Sequence, residues 1–309
     1  MNLKHLAVFH AVAKAGSINQ ASKDIHITQP AISRQIHLLE DALGVILFDR
    51  LPRGVRLTEA GRILAEDARR IFSLAQQAKS SMQDIRSLAS GRLSLGASST
   101  IGNYLLPPML TDYHRQHPGV DIDLAIGNTD FIQHQLLEDQ IAVGLTEGFV
   151  DHAELLSDVF MRDELFIIAS PQHPLAGRQM VDISDLSCHS FVLREEGSGT
   201  RAVLEDYMTR HHITLNHQMT LASTDAVKSA VRADAGIAAV SGLAIQCELD
   251  TGALVRIDVA NMRLYRPLHL VHHCDRRESP AIRAWTRMLR ASALMHPSMH
   301  RIQPPVSSP

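Results

Sequence analysis

The sequence has few cysteines and few aromatic residues, and each shortage excludes a class of protein. Its three cysteines, Cys188, Cys247 and Cys274, form no CxxC pair, which argues against a disulfide framework or a thiolate zinc site and fits a reducing compartment. Aromatic residues make up only 4% of the chain, which disfavours proteins that bind sugars or single strands on aromatic platforms. Aliphatic side chains must therefore dominate the interior.

Long apolar runs are also missing. No segment reaches the ~18 uninterrupted apolar residues of a membrane span, and Lys4, His5 and His10 interrupt the apolar residues near the start. We therefore expect a cytoplasmic protein without a membrane partner. What the chain does have is 309 residues with 45% hydrophobic content, enough for two or three domains with real cores.

Charge is distributed unevenly between the two ends. Residues 1–90 carry 12 Lys and Arg against 8 Asp and Glu, whereas the remainder carries 18 against 25. A basic N-terminal part suggests a polyanionic partner for residues 1–90, and the acidic remainder suggests that a different ligand binds there.

Apolar residues recur every three or four positions at the start of the chain, which predicts three short helices. The first covers residues 3–15, the second runs from its cap Ser17 to about residue 25, and Thr28 caps the third, with Pro30 in its first turn. The expected buried stripe of the third helix is Ile32, Ile36, Leu39 and Leu43. A Pro/Gly turn within residues 51–57 then predicts a β-hairpin wing.

The second and third helices have the spacing of a helix-turn-helix, which leaves the polar side of the third helix free to enter a DNA major groove. Gln29 suits adenine, Arg34 suits guanine or a phosphate, and wing arginines suit phosphates or the minor groove. The candidate DNA-binding residues are Thr28, Gln29, Pro30, Ser33, Arg34, His37, Arg50, Arg53 and Arg56. The alternative is an ordinary three-helix core.

A long helix is predicted from Thr58 to about Ser90. Its apolar residues repeat every seven positions in two rows: Leu64, Ile71, Ala78 and Ile85, and Ala68, Ala75, Met82 and Ala89. A helix of ~30 residues would span ~45 Å, so we expect this seam to pair with a second chain. The alternative is a helix packed along its own domain.

After Gly91, predicted strands alternate with helices in two rounds of similar size, which indicates two α/β units with mostly parallel strands and a cleft between them. Strands are expected at 92–97, 120–126, 141–146, 164–170, 190–194, 217–221 and 237–241, and helices at 105–116, 130–140, 201–211 and 224–233. We expect the tail from residue 296 to be disordered.

Motifs along the whole chain resemble those of LysR-type transcriptional regulators. They are Phe9-x-x-Val12-Ala13, Gly16-Ser17, Ala21-Ser22, Thr28 to Ile36, Leu38 to Glu40, Leu43-Gly44, Leu47 to Arg50, Leu57 to Gly61, Gly91 to Ser98, Leu106-Pro107, Asp185-Leu186 and Ser279 to Ala281. The resemblance implies an α+β multidomain fold: a winged helix-turn-helix over residues 1–60, a dimerising linker helix over 58–90, and a two-lobed α/β effector domain like a periplasmic binding protein. Lobe I would comprise residues 91–162 and 267–295, and lobe II residues 163–266.

Hydroxyls and amides after successive strands are expected to face the cleft, because ligands of open α/β sheets bind at the carboxyl ends of strands. The glycine-rich turn before the helix at residue 201 suggests an anion cradle. Candidate effector-binding residues are Ser98, Ser99, Thr100, Asn128, Thr129, Thr146, Ser198, Gly199, Thr200, Arg201 and Thr224. The alternative for each Ser or Thr is that it only caps a helix.

Other chemistries are weakly supported. Gly197, Gly199 and Ala202 match G-x-G-x-x-A, but Glu195 and Glu196 would repel a dinucleotide pyrophosphate. Adjacent His272 and His273 would point to opposite faces of a strand, and neither H-E-x-x-H nor G-x-S-x-G occurs. Cys188 has no resolving partner and is expected to be a small core residue.

The sequence therefore predicts a transcriptional regulator that is not an enzyme and uses no cofactor or metal. Its expected partners are double-stranded DNA, a small effector that we expect to be an anion, and copies of itself as a homodimer or homotetramer, with RNA polymerase as a further candidate. A solute-binding protein and an α/β enzyme are the rival classes; the first lacks an export signal, and the second lacks a set of acid, base and nucleophile.

Overall fold

The fold is described from a computed structural model, which describes residues 2–51, 54–84, 91–276 and 278–295. The chain divides into two compact units, residues 1–82 and 83–309. Within the described ranges, no helix combines the length and the apolar character needed to cross a membrane.

The first unit is a winged helix-turn-helix. Its elements are α1 (Leu3–Ala15), α2 (Ile18–Ile25), α3 (Gln29–Leu43), β1 (Phe48–Arg50), β2 (Val55–Leu57) and α4 (Glu59–Asp84). The three predicted helices are confirmed. Asn2 and Ser17 cap α1 and α2 with side-chain oxygens, and Gly16 and Gly44 end α1 and α3 in the left-handed conformation.

Two details of α3 differ from prediction. Thr28 occupies the cap position, but its side chain makes no capping hydrogen bond. Ile32, Ile36 and Leu39 are buried, whereas Leu43 is 37% exposed because α3 ends there, beyond the small core formed with α1. The polar face opposite the buried residues is left to solvent.

The heptad seam expected on α4 is partly used within its own unit. Leu64, Ala68 and Ile71 pack against the core that contains Phe9 and Leu39. The first half of α4 therefore follows the alternative interpretation, a helix packed along its own domain. Exposed apolar side chains described on α4 include Ala75 and Ala78 of the heptad rows and Ile63 and Leu74 outside them. The side chain of Met82 and residues 85–90 lie outside the described residues.

The second unit contains nine strands and six α-helices within the described residues. The strands are β3 (Gly91–Ser98), β4 (Val120–Gly127), β5 (Val143–Glu147), β6 (Leu155–Ala169), β7 (Ser190–Arg194), β8 (Asn216–Leu221), β9 (Ala238–Ser241), β10 (Val255–Ile257) and β11 (Leu264–His273). The helices are α5 (Leu106–Gln116), α6 (Thr129–Leu137), α7 (Gly199–Arg210), α8 (Thr224–Arg232), α9 (Gln246–Asp250) and α10 (Pro280–Met295).

A seven-stranded sheet has the order β10-β6-β11-β5-β3-β4, with β9 also paired to β6. Strand β3 is parallel to β4 and β5, and β7 is parallel to β8. Two isolated bridges, Val181–Val259 and Phe191–Ile237, are parallel as well. The other four strand pairings, all in the seven-stranded sheet, are antiparallel, so the expectation of mostly parallel strands is wrong for that sheet. The reason is that β6 and β11 pair with each other along most of their length and carry the sheet from one half of the unit to the other.

Two sets of buried apolar residues lie on either side of this crossing. One set surrounds Trp285 and includes residues of β3, β5, α5 and α10. The other surrounds Phe191 and includes residues of β7, β9 and α7. We call these halves lobe I and lobe II. The lobe boundaries at 162/163 and 266/267 remain a proposed division, since both strands are continuous across them.

The periodicity identified most elements of this unit within a few residues, but not those near its end. The strand expected at residue 164 begins at Leu155, and β10, β11, α9 and α10 were not delimited. The tail 296–309 lies outside the described residues.

Candidate DNA-binding face and inter-lobe site

The candidate DNA-binding residues on α3 lie on its solvent side. Thr28, Gln29, Pro30 and Arg34 are exposed, and Ser33 is half-buried. The Gln29 amide donates to Asn19 Oδ1 at 3.2 Å, which ties α3 to α2. His37 is exposed and lies 3.2 Å from the Glu40 carboxylate. Gln29, Ser33 and Arg34 offer donors and acceptors in the first two turns of α3, where a groove-reading helix presents them, and His37 follows in the third turn.

Of the three predicted wing arginines, one has a side chain among the described residues. Arg56 is 68% exposed and lies 3.3 Å from Asp49 on the paired strand. Arg53 and the side chain of Arg50 lie outside the described residues. A groove of about 690 Å³ separates α3 from the wing and is lined partly by Ser33, His37 and Phe48.

In the second unit, Arg266 is the centre of a buried network between the lobes. Its guanidinium is fully buried, contacts the Glu147 carboxylate and lies 2.7 Å from Asp163 Oδ2. It also donates to Thr200 at 2.7 Å and to Thr100 at 3.2 Å. Because Thr100 and Glu147 belong to lobe I and Thr200 to lobe II, one side chain joins the two.

Charges in this network are strongly coupled. Burial raises the pKa of the Asp163 carboxyl, and the charge of Arg266 opposes this. Burial alone would lower the pKa of Arg266, but the charges of Glu147 and Asp163 raise it. Glu147 also accepts the backbone N–H groups of Thr100 and Ile101 at 2.9 and 3.2 Å, which fixes its position at the start of a π-helical turn.

Arg194, the last residue of β7, forms a second inter-lobe contact. It is only 5% exposed and donates from Nη1 to Thr224 Oγ1 at 2.8 Å and from Nη2 to Ser99 Oγ at 3.3 Å. Its Nε and a second bond from Nη2 go to the Glu195 carboxylate. Ser99 in turn donates to the Gly127 carbonyl at 2.9 Å. Thus Ser99 and Thr224, both predicted from the sequence, meet on one guanidinium.

A third contact involves Tyr104. Its hydroxyl donates to Asp225 Oδ1 at 2.7 Å, and Lys228 Nζ lies 5.1 Å from its ring centroid. Lys228 is buried and pairs with the Glu248 carboxylate at 2.8 Å. Burial alone would lower the pKa of Lys228, but its hydrogen bonds to Glu248, Asp225 and Tyr104 raise it. Burial and the bond to Asp225 raise the pKa of Tyr104.

The glycine-rich turn is tightly packed against lobe I. A Cβ at Gly199 would overlap the Glu147 carbonyl oxygen, so only glycine fits at the first residue of α7. Arg201 pairs with Glu205 at 2.7 Å and donates to the Arg194 carbonyl at 3.3 Å. A cavity of about 340 Å³ beside this turn is lined partly by four carboxylates, Asp130, Glu147, Glu196 and Glu205. Glu147 is paired with Arg266 and Glu205 with Arg201, so Asp130 and Glu196 are the two that chiefly disfavour an anion at the turn itself.

The remaining candidates have other surroundings. Asn128 caps α6 and donates to the Glu196 carbonyl at 3.3 Å, and Thr129 donates to the Glu147 carbonyl at 2.8 Å. Ser198 is buried at the cap position of α7 without a capping bond from its side chain. The hydroxyls of Ser98 and Thr146 are buried and find no hydrogen-bond partner in the described part of the chain, so they do not join the inter-lobe contacts.

Seven residues of the site were not predicted from the sequence: the neutral Tyr104 and the charged residues Arg194, Glu147, Asp163, Arg266, Asp225 and Lys228. Only Arg194 carried a local signal, since an arginine ends an otherwise apolar strand directly before the glycine-rich turn. Arg266 and its partners are separated by 103 and 119 residues in sequence, so no local pattern connects them.

One group of possible metal ligands occurs among the described residues. Ligand atoms of His273, Cys274 and Asp275 lie within 4.8 Å of one another, and His273 Nε2 is 3.0 Å from Glu154. Cys188, expected in a core, is exposed because it ends a short 3₁₀ helix at the surface.

The arrangement of a winged helix-turn-helix and a two-lobed domain matches known families. Residues 3–62 match the family described as bacterial regulatory helix-turn-helix protein, lysR family, and residues 86–294 match the LysR substrate binding domain. The chain belongs to the LysR family of transcriptional regulators. This LysR-type regulator therefore combines a DNA-binding helix-turn-helix with an effector-binding domain.

Two known proteins similar to this LysR-type regulator cover nearly all of it, and a third covers about two thirds. A RuBisCO operon transcriptional regulator of Allochromatium vinosum is 34% identical over 297 residues, 96% of this chain and 98% of the relative. A full-length OxyR variant from Pseudomonas aeruginosa shares the fold with a TM-score of 0.70 at 21% identity, covering 98% and 99% of the two chains. The regulatory domain of CcmR from Synechocystis PCC6803, in complex with 2-PG, has a TM-score of 0.62 at 25% identity, covering 66% of this chain and 98% of that domain.

Proposed function

We propose that this regulator reads double-stranded DNA with α3 and the wing, and that a small anion bound between the lobes controls it. For DNA binding, the support is the exposed polar row formed by Gln29, Arg34 and His37 on a helix whose other side is buried. Side chains in such a row can reach base edges, while Arg56 on the wing can reach a phosphate. The protein would act in the cytoplasm, on promoters recognised by RNA polymerase.

One observation carries the anion assignment: the buried guanidinium of Arg194 is held by hydroxyls from both lobes. A guanidinium binds carboxylate or phosphate oxygens through paired N–H donors, and Ser99 and Thr224 add hydroxyls at the same point. The structural relative CcmR binds 2-phosphoglycolate, an anion, in its regulatory domain. The anion position is therefore at Arg194 rather than at the acid-lined turn.

Binding at this position would change lobe closure. The contacts from Arg194 to Ser99, from Tyr104 to Asp225 and from Arg266 to Thr100 all cross between the lobes. A ligand that inserts at the first contact must alter the spacing of the lobes, and it shifts the population only by its preference for one spacing. Linker helix α4 would pass that preference to paired DNA-binding units in a dimer or tetramer.

Exposed apolar side chains on α4 support self-association. Ile63 and Leu74 are 62% and 58% exposed, and a separation of eleven residues places them three turns apart on nearly the same side of the helix. A second copy would cover them, and paired units predict half-sites about one helical turn, ~34 Å, or a multiple apart.

Calorimetric titration of the full chain tests the anion assignment. Sulfate, sulfite, 2-phosphoglycolate and small carboxylates are titrated beside neutral aromatic compounds. At least one anion should bind, and Arg194→Met should weaken it by about 1.5–3 kcal/mol, the range for hydrogen bonds to charged groups. Binding of neutral aromatics with none of the anions would refute the proposal.

A further inference from the structure

The Glu195 carboxylate already occupies the anion-binding edge of Arg194. Its two oxygens accept from Arg194 Nε at 2.8 Å and from Nη2 at 2.9 Å. This two-point contact is the one that an external carboxylate or phosphate makes with arginine. We infer that Glu195 determines effector specificity by acting as an internal competitor that the effector must displace; this inference rests on the proposed anionic effector.

The other donors of Arg194 offer no equivalent position. Nη1 donates to Thr224, and Nη2 is shared between Glu195 and Ser99. Arg194 is only 5% exposed, whereas the side chain of Glu195 is 22% exposed. The carboxylate can therefore move to solvent, while the guanidinium has to receive its ligand where it lies.

The backbone around Glu195 allows this exchange. Strand β7 ends at Arg194 and helix α7 begins at Gly199, so Glu195 lies in the connecting turn. Gly197 in that turn has φ +77°, a conformation that favours glycine. Glu195 can consequently leave Arg194 without breaking a strand or a helix.

The other cations between the lobes do not share this property. Arg266 is held by the buried carboxylates of Glu147 and Asp163, and Lys228 is held by Asp225 and Glu248. Arg201 pairs with Glu205 one turn along the same helix. Among these four cations, only Arg194 is paired with a single carboxylate located in a turn.

Displacement imposes a chemical requirement on the effector. A neutral ligand that removed Glu195 would leave a buried guanidinium unpaired, which is strongly unfavourable. A single-atom anion such as chloride cannot accept from Nε and Nη2 in the paired geometry. The site therefore selects anions with two acceptor oxygens, such as a carboxylate, phosphate, sulfate or sulfite group, and a dianion competes better against Glu195 than a singly charged group does.

The experiment compares Glu195→Gln with the matched variant Glu196→Gln in the full chain. Both remove one negative charge from the same turn, but Glu196 is exposed and its carboxylate does not pair with Arg194. Calorimetry with 2-phosphoglycolate and inorganic phosphate measures the dissociation constants. Glu195→Gln should tighten binding at least about tenfold, and Glu196→Gln less than about threefold, because only the first frees the paired donors. The gain should vanish in a double variant that also carries Arg194→Met.

The outcomes separate this inference from the proposed function. If the wild-type chain binds an anion and Glu195→Gln leaves the affinity unchanged or weakens it, Glu195 is not a competitor. An equal gain in both variants would show only a general effect of charge and would also reject the inference. If no anion binds any variant, the anionic effector itself is wrong. Unfolding followed by the fluorescence of Trp285, buried in lobe I, verifies that each variant is folded.

Discussion

The DNA-binding face and the inter-lobe site use the same kinds of polar residue in opposite surroundings. Arg34 on α3 is exposed, and the residues around it are adjacent in sequence. Arg266 has no exposed surface, and its partners Glu147 and Asp163 come from distant strands. An exposed arginine is available to a partner and contributes little to stability, whereas a buried arginine supports the fold and is costly to remove. The two regions should therefore respond oppositely to the same type of substitution.

The largest effect is expected at Arg266. Arg266→Met leaves two buried carboxylates without their cation, which should lower the free energy of unfolding by about 3–5 kcal/mol. Denaturant unfolding monitored by Trp285 fluorescence measures it, because that is the sole tryptophan and lies in lobe I. The control Arg115→Met breaks an exposed pair with Asp112 on α5 and should change stability by less than about 1 kcal/mol. Equal losses in both variants would contradict the comparison.

The reverse pattern is expected at Arg34. Arg34→Ala should leave unfolding unchanged and weaken binding to the cognate DNA by about 1–3 kcal/mol, with relaxed preference at one base pair. Fluorescence anisotropy with DNA from upstream of its own gene measures this. Lys23→Ala removes a positive charge from the exposed side of α2 and serves as the control. A similar loss in both variants, with no change in base preference, would assign Arg34 to general electrostatics.

The wing should show a smaller and less specific effect. Arg56→Ala removes a partly neutralised charge, since Asp49 lies 3.3 Å away. Binding should weaken by a similar factor on cognate and unrelated DNA, and the slope of log affinity against log salt should fall by about one. Titrations over a series of salt concentrations on both DNA sequences test this. An unchanged slope would place Arg56 away from the phosphates.

The smallest expected effect is a pH dependence of stability that arises from His269 in the second unit. Burial lowers the pKa of His269 below the ordinary value of 6.5, and both ring nitrogens lack a partner within the described residues. The His269 imidazole binds a proton less tightly in the folded state than in the unfolded state. The free energy of unfolding should therefore decrease as the pH falls below about 6.5. The melting temperature should drop by a few degrees between about pH 7.5 and 5.5, and less in His269→Gln.

Part of this pH dependence should persist in the variant. Burial and the neighbouring His189 also lower the pKa of His173 in lobe II. A pH response identical in wild type and His269→Gln would show that His269 does not contribute.

Local patterns predicted the helix-turn-helix well, because short-range periodicity and caps determine such helices. Ile32, Ile36 and Leu39 are buried as their spacing indicates, and α1 has the predicted bounds. Local patterns could not predict which surface covers the apolar side of α4. A heptad row shows that one side of a helix is apolar, but not whether its own domain or another chain covers it, and the structure places Leu64 and Ala68 in its own domain.

Only some of the predicted effector-site residues lie at the inter-lobe contacts. Ser99, Thr100, Thr200 and Thr224 were found from their positions after strands or at helix starts, and the structure brings them to Arg194 and Arg266. Ser98 and Thr146 occupy comparable sequence positions and are buried like Thr100, Thr200 and Thr224, but their hydroxyls have no partner among the described residues. Position after a strand does not reveal which way a side chain points, since neighbouring residues alternate between faces.

The amino-acid sequence by itself determined the order of domains, the polar row on α3 and the glycine-rich turn before α7, because each depends on residues close together in the chain. Only the tertiary structure decided which charges meet. The pairing of Arg266 with Glu147 and Asp163 depends on the crossing of β6 and β11, and the contact from Arg194 to Ser99 depends on the approach of two lobes. Such pairings form between residues about 100 positions apart, and their energies come from burial, which no local pattern encodes.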